Sequence, residues 1–112
     1  MPRFVVLKHE RKTGAHFDLM LESSGVLITY SFPVFPSPGA ACERLADHRI
    51  DYLDFEGDIG EGKGVVTRVE SGTFDLLSVE DNAVFAFLRG ERLRGDVRLR
   101  QQQEDTWTFE PE

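Results

Sequence analysis

Apolar residues recur at every second position along most of this chain, in short runs broken by turn formers; that is the period of strands with one face buried. Segments 3–9, 16–22, 26–32, 64–70, 73–77, 83–89, 92–100 and 106–110 fit it. They are rich in Val, Leu, Phe and Thr and are separated by turn residues such as Ser23-Ser24-Gly25, Asp81-Asn82 and Gly90. Only 42–46 looks helical, and 33–39, with its prolines, must be a loop. The expectation is an all-β fold, a closed or nearly closed antiparallel β-barrel of about eight strands with one short helix, closure removing exposed strand edges. No repeat, linker or low-complexity segment interrupts the pattern, so residues 1–112 are expected to form one domain.

The same alternation places polar groups. In 16–22 it puts His16, Asp18, Met20 and Glu22 on one strand face and Phe17, Leu19 and Leu21 on the other. If the chain turns around Thr13-Gly14, segment 3–9 folds back on this strand and brings His9 to the same hairpin. Two imidazoles and one carboxylate then form a mixed nitrogen and oxygen donor set that suits Mn²⁺ or Zn²⁺ with positions open for substrate. Spacing alone is equally compatible with an ordinary solvated strand face. Downstream, His48 and Tyr52 can each hydrogen-bond a phosphate or leaving-group oxygen and carry a proton. A tyrosine packed in the core with a wet hydroxyl is the plainer alternative. Asp51, Asp54, Glu56 and Asp58 read as solvated loop carboxylates.

Composition narrows the classes. At 112 residues, 40% apolar, 29% charged and a net charge of −7, the chain is globular and unsuited to coating nucleic acid generally. Basic residues nevertheless concentrate locally: Arg3, Lys8, Arg11 and Lys12 near the start, and Arg89, Arg92, Arg94, Arg98 and Arg100 later, which allows a one-sided anion-binding surface. Arg92, Arg94, Arg98 and Arg100 share one strand face, opposite Leu93, Val97 and Leu99; that face is either a solvated outer surface or a track for a DNA backbone. Trp107 and Phe109 are expected to close the core. The lone Cys42 has neither a disulfide partner nor a zinc spacing and reads as a small buried residue. No apolar run is long enough to span a bilayer, and MPRFVV lacks the apolar region of a signal peptide, so no membrane association and a cytoplasmic location are expected. Residues 57–64, GDIGEGKG, imitate a nucleotide-binding loop. Gly64, however, stands where Ser or Thr must meet Mg²⁺, and no helix is expected to follow.

Lys8-His9, then His16-Phe17-Asp18-Leu19 with Leu21-Glu22, a proline-rich loop after a strand, and Asp47-His48 with Tyr52 and Phe55-Glu56-Gly57 occur in this order. Together they resemble the 3′-phosphoesterase domain of bacterial ligase D over the first half of the chain, and more weakly through Gly72 and 90–95. The resemblance implies a β-barrel hydrolase that removes 3′-terminal phosphates and ribonucleotides from DNA ends in repair, with Mn²⁺ preferred. By position it implies His9, His16 and Asp18 as metal ligands, His48 and Tyr52 as a phosphate-contacting pair, and Arg44 as an arginine used nearby. It further implies DNA 3′ ends of primer-template or nicked duplex as partners, together with a ligase or polymerase of end joining; a monomer is expected. The departures are Met20 for an arginine, Leu7 for a glutamine and Val34 for a lysine, one extra residue between His9 and His16, and a shorter stretch from Arg44 to His48. The metal triad is complete while the anion clamp is depleted, with Arg3, Arg11 and Lys12 as other sources of positive charge. Three classes follow: a metal-dependent phosphoesterase for DNA 3′ ends, a non-catalytic end-binding or repair-complex module, and a phosphoesterase for a small phosphorylated molecule.

Overall fold

The computed structural model describes residues 1–111. In chain order its strands are β1 (Arg3–Arg11), β2 (Gly14–Ser23), β3 (Val26–Phe32), β4 (Ala41–Arg44), β5 (His48–Arg49), β6 (Gly57–Asp58), β7 (Val65–Glu80), β8 (Ala83–Arg89), β9 (Arg94–Gln103) and β10 (Thr106–Pro111). Eight of them run β1-β2-β3-β4-β10-β9-β8-β7, and a further β1–β7 pairing closes the ring. The short β5 adds to β3 and β6 to β7. Every pairing is antiparallel, as hairpins with short turns require.

The alternation sorts the core. Phe4, Val6, Leu19, Leu21, Tyr30, Phe32, Leu99, Trp107 and Phe109 point inward and form one buried cluster with Phe74 and Leu88. Each such side chain contributes about 1.5–3 kcal/mol when fully buried. Residues Phe4 to Leu7 are buried without interruption, because β1 is covered on both faces. On the outer face Val5, Leu7, Met20, Leu27 and Leu53 form a second cluster, capped by Ile50 and Tyr52. Segment 48–58 therefore lies as a flap across β1–β3, with Leu53 as its anchor. Arg3 pins it by an ion pair to Asp54 at 2.8 Å, and Arg68 by donating to the Leu53 carbonyl at 3.3 Å.

Two expectations need correction. Residues 42–46 are not helical: β4 pairs with β10 through Cys42↔Trp107 and with β3 through Tyr30↔Arg44, and the short helix is instead a 3₁₀ turn at Ile50–Leu53. A run this short carries no decisive period, and the ladder to Trp107 overrides local preference. Segments 64–70 and 73–77 are one strand, β7, which pairs first with β1 and then with β8. At Gly72 within it a Cβ would collide with the Arg89 carbonyl, so the glycine marks a close approach and not a break. The β9 strand starts at Arg94, leaving Arg92 and Leu93 in the preceding turn.

Cys42 is buried, and burial pushes its thiol up to about 12, which fits a packing role. Leu93, Val97, Leu99, Trp107 and Phe109 are all in the core. No helix among the described residues is long and apolar enough to cross a membrane.

Candidate metal centre

The β1–β2 register sets His9 directly opposite His16, and β2 carries Asp18 to the same outer face two residues on. The imidazole rings meet edge to face, their centroids 4.7 Å apart. His16 Nε2 lies 3.4 Å from Asp18 Oδ1. One ligand atom from each of His9, His16 and Asp18 falls within 4.8 Å of the others. The hairpin turn is at Lys12-Thr13, so the extra residue between the histidines lengthens the hairpin and leaves them paired.

Asp18 is 6% exposed, and its Oδ1 is a buried oxygen without a hydrogen-bond partner. Burial pushes its carboxyl above the ordinary aspartate range, against the opposing pull of His16, His48 and His9 and of a hydrogen bond from Ser31. An orphaned buried carboxylate oxygen costs about 1–3 kcal/mol unless something satisfies it. A cation between it and the two imidazoles would do so, and the donor set is of the kind that binds Mn²⁺ or Zn²⁺.

His9 is held from behind. Its Nε2 donates to the Lys63 carbonyl at 2.7 Å, which leaves Nδ1 as its free nitrogen, the outer-shell arrangement common for imidazole ligands. Gly64 (φ +106) makes this contact possible, since a Cβ there would lie 2.3 Å from the Glu10 carbonyl oxygen and 3.1 Å from His9 Nε2. Thus the glycine-rich 57–64 segment packs against the triad and runs on into a strand. Its glycine–lysine–glycine signal marks a close approach, which the residue pattern did not assign to His9. The Lys63 ammonium lies 3.7 Å from Glu61.

The flap supplies the other face. His48 pairs with Leu27, which turns its ring to the outer side, and its Nδ1 donates to the Ala46 carbonyl at 2.9 Å, leaving Nε2 free. Tyr52 stands 5.7 Å from it, ring to ring. Together with His9 and Asp18 they line a recess of about 70 Å³ whose apolar walls are Leu7, Met20, Ile59 and Val66. Ile59 and Val66 carry no sequence signal beyond apolarity.

Arg44 is not brought to this group. As the partner of Tyr30 it faces the inside of the ring, stacked 5.2 Å from the Tyr30 ring and 5.9 Å from Trp107, and bound to Asp47 at 3.6 Å. Burial pushes the Tyr30 hydroxyl up to about 12, with Arg44 pulling the other way.

Met20 does share the triad's face, but it is 1% exposed and packs with Val5, Leu7, Leu27 and Leu53. A guanidinium there would enter largely apolar packing beside the Asp18 carboxylate, where it would compete for the oxygen a metal needs. Met20→Arg is therefore expected to lose about 2–4 kcal/mol in chemical denaturation and to release no more phosphate than the parent. A stable, faster variant would show that this recess accepts a cation from the protein.

Comparison with known proteins places the chain in a family. Residues 7–101 match the family model described as the DNA Ligase D 3′-phosphoesterase domain. The chain is 41% identical over 109 residues to the multifunctional non-homologous end joining protein LigD of Pseudomonas aeruginosa, covering 87% of this chain and 13% of the relative. It is 31% identical over 115 residues to the LigD protein of Mycobacterium bovis, covering 93% of this chain and 15% of the relative. With the Mycolicibacterium smegmatis LigD it shares 30% over 123 residues, covering 94% and 16%. The chain thus spans about 15% of the length of these relatives.

Proposed function

This chain belongs to the DNA Ligase D 3′-phosphoesterase domain family, and we propose that it is a metal-dependent phosphoesterase that clears 3′-phosphates or 3′-ribonucleotides from DNA ends during repair. The observation that carries this reading is the convergence of His9, His16 and the orphaned Asp18 Oδ1 beside His48 and Tyr52.

His9, His16 and Asp18 would hold a divalent ion, Mn²⁺ by the family resemblance, which when bound would supply positive charge and Lewis acidity beside the phosphate. The protein's own groups do the rest. The Ala46 carbonyl holds the Nδ1–H of His48, a lining residue of the recess, and leaves Nε2 free; protonated there, it would donate to a phosphoryl oxygen or give the departing 3′ oxygen its proton. Tyr52 offers a hydroxyl donor to the same phosphate. The apolar walls limit water around these groups, which strengthens each hydrogen bond. A ligase or polymerase of end joining is the natural consumer of the cleaned 3′-hydroxyl.

Incubation with Mn²⁺ and a primer-template ending in 3′-phosphate is expected to yield inorganic phosphate and a 3′-hydroxyl primer, and a chelator is expected to stop the release. Binding without release would favour the non-catalytic end-binding module. Release from a small phosphomonoester alone would favour the small-molecule phosphoesterase.

A further inference from the structure

Directly behind the histidine pair, the inner face of the same hairpin presents a different chemistry. Lys8 and Phe17 are the neighbours of His9 and His16 in sequence, so they point to the opposite side of the sheet. There the Lys8 ammonium lies 6.0 Å from the Phe17 ring, Phe17 meets Phe35 edge to face at 6.2 Å, and the Arg92 guanidinium lies 3.6 Å from the centre of the Phe35 ring. Cation, ring, ring and cation, drawn from β1, β2, the proline-rich loop and the turn before β9, form one continuous line. Beside it runs a groove of about 330 Å³, floored by Phe35, Pro38, Leu93 and Phe109 and flanked by Arg92 and Arg94.

Charge decides what such a groove suits. The chain carries a net charge of −7, yet among the described residues no carboxylate lines this groove. Among the described residues, Lys8, Arg92 and Arg94 form no ion pair, whereas Arg3, Arg44, Arg68, Arg89 and Arg98 each hold an acidic partner. Arg94 spends its guanidinium on the Gly90 carbonyl at 2.8 Å, and Arg92 spends its own on Phe35. Unpaired cations interleaved with half-exposed aromatic rings match a flexible polyanion with flat apolar side groups: aromatic faces stack bases, and the cations track phosphates. Duplex DNA, with its bases already stacked, has no use for Phe35.

We propose that this Lys8–Phe17–Phe35–Arg92 line and its groove bind single-stranded nucleic acid, as the continuation of the end whose terminus sits at the metal centre. The reading rests on the proposed function for that continuity. A route exists: the β2–β3 ladder begins at Phe17↔Phe32, so beyond it, among the described residues, Gly14 to His16 have no partner on that side and the sheet edge is open between the two faces.

Fluorescence anisotropy with a labelled oligo(dT) ending in a 3′-hydroxyl, with a chelator present, tests this without engaging the phosphate chemistry. The parent is expected to bind at low salt, with affinity falling as salt rises. Phe35→Leu keeps apolar bulk but loses the ring, and is expected to weaken binding about tenfold with little change in salt slope; Phe35→Trp is expected to retain it. Arg92→Gln is expected to flatten the slope by about the 0.7 that one phosphate contributes on a single strand. No binding at low salt, equal binding by Phe35→Leu and the parent, or preference for a proline-rich peptide over the oligonucleotide would each overturn the proposal. If oligonucleotide binding holds while phosphate release fails, only the enzymatic reading falls; if release holds while binding fails, only the platform does.

Discussion

Replacing Asp18 with asparagine is expected to make the metal-free protein more stable while lowering 3′-phosphate release by roughly 100-fold or more, about 2.7 kcal/mol of transition-state stabilisation. The two effects have one cause. A buried carboxylate oxygen without a hydrogen-bond partner, held beside two imidazoles, is unfavourable in a protein that needs it for packing alone. Asparagine is nearly isosteric, removes the buried charge, and places an N–H near His16 Nε2. Urea denaturation in chelator is expected to show a gain of about 1–2 kcal/mol. A structural carboxylate would give the opposite sign, because its removal would strand the groups it had satisfied. Stability given up at a cluster of donors is the signature of a site maintained for a ligand.

Glu70 shows what a structural carboxylate looks like in the same fold, and Glu70→Gln is expected to cost about 3 kcal/mol, roughly 10 °C in melting temperature. Its side chain is 6% exposed. Oε1 accepts from the Ser71 and Glu91 amides at 2.9 and 3.3 Å, and Oε2 from those of Arg92 and Leu93 at 2.6 and 2.9 Å. Glutamine would turn an NH₂ group toward two of these donors. Burial raises the Glu70 pKa, but the four amides outweigh it and hold the carboxyl below its ordinary range. With the folded pKa depressed, the contribution is fully present above the unfolded value and is lost as pH falls through the folded one. The difference between parent and Glu70→Gln is therefore expected to be full at neutral pH and to shrink in acid. A constant difference across that range would show that the charge is not what the turn uses. Because this turn carries Arg92, the variant is also expected to loosen the cation against Phe35.

Legibility in the sequence followed periodicity. The alternation of 16–22 is enough to put His16 and Asp18 on one face, and a hairpin is enough to bring His9 across, since strand geometry fixes both. Seven of the eight ring strands are legible for the same reason, β7 in two pieces; β4 is the exception. Where the chain is short or doubly buried, the signal fails. Residues 41–44 are too few to show a period, and Gly72 looks like a turn until the nearby Arg89 carbonyl shows why β7 needs a glycine there. Arg44 illustrates a separate limit: the family resemblance implies it near the site, but it pairs with the inward-facing Tyr30, and which face a strand residue takes depends on its ladder. The Lys63 carbonyl behind His9 is a backbone group, carried by no side-chain pattern at all.

His9, His16 and Asp18 are proposed to act together on one ion. Calorimetric titration of Mn²⁺ into the parent and into Asp18→Asn, both freed of metal beforehand, addresses this proposal most directly. The expected result is one equivalent bound by the parent, with a matching rise in melting temperature, and neither heat nor shift in the variant. An absence of binding to the parent, or equal binding by both proteins, would contradict it.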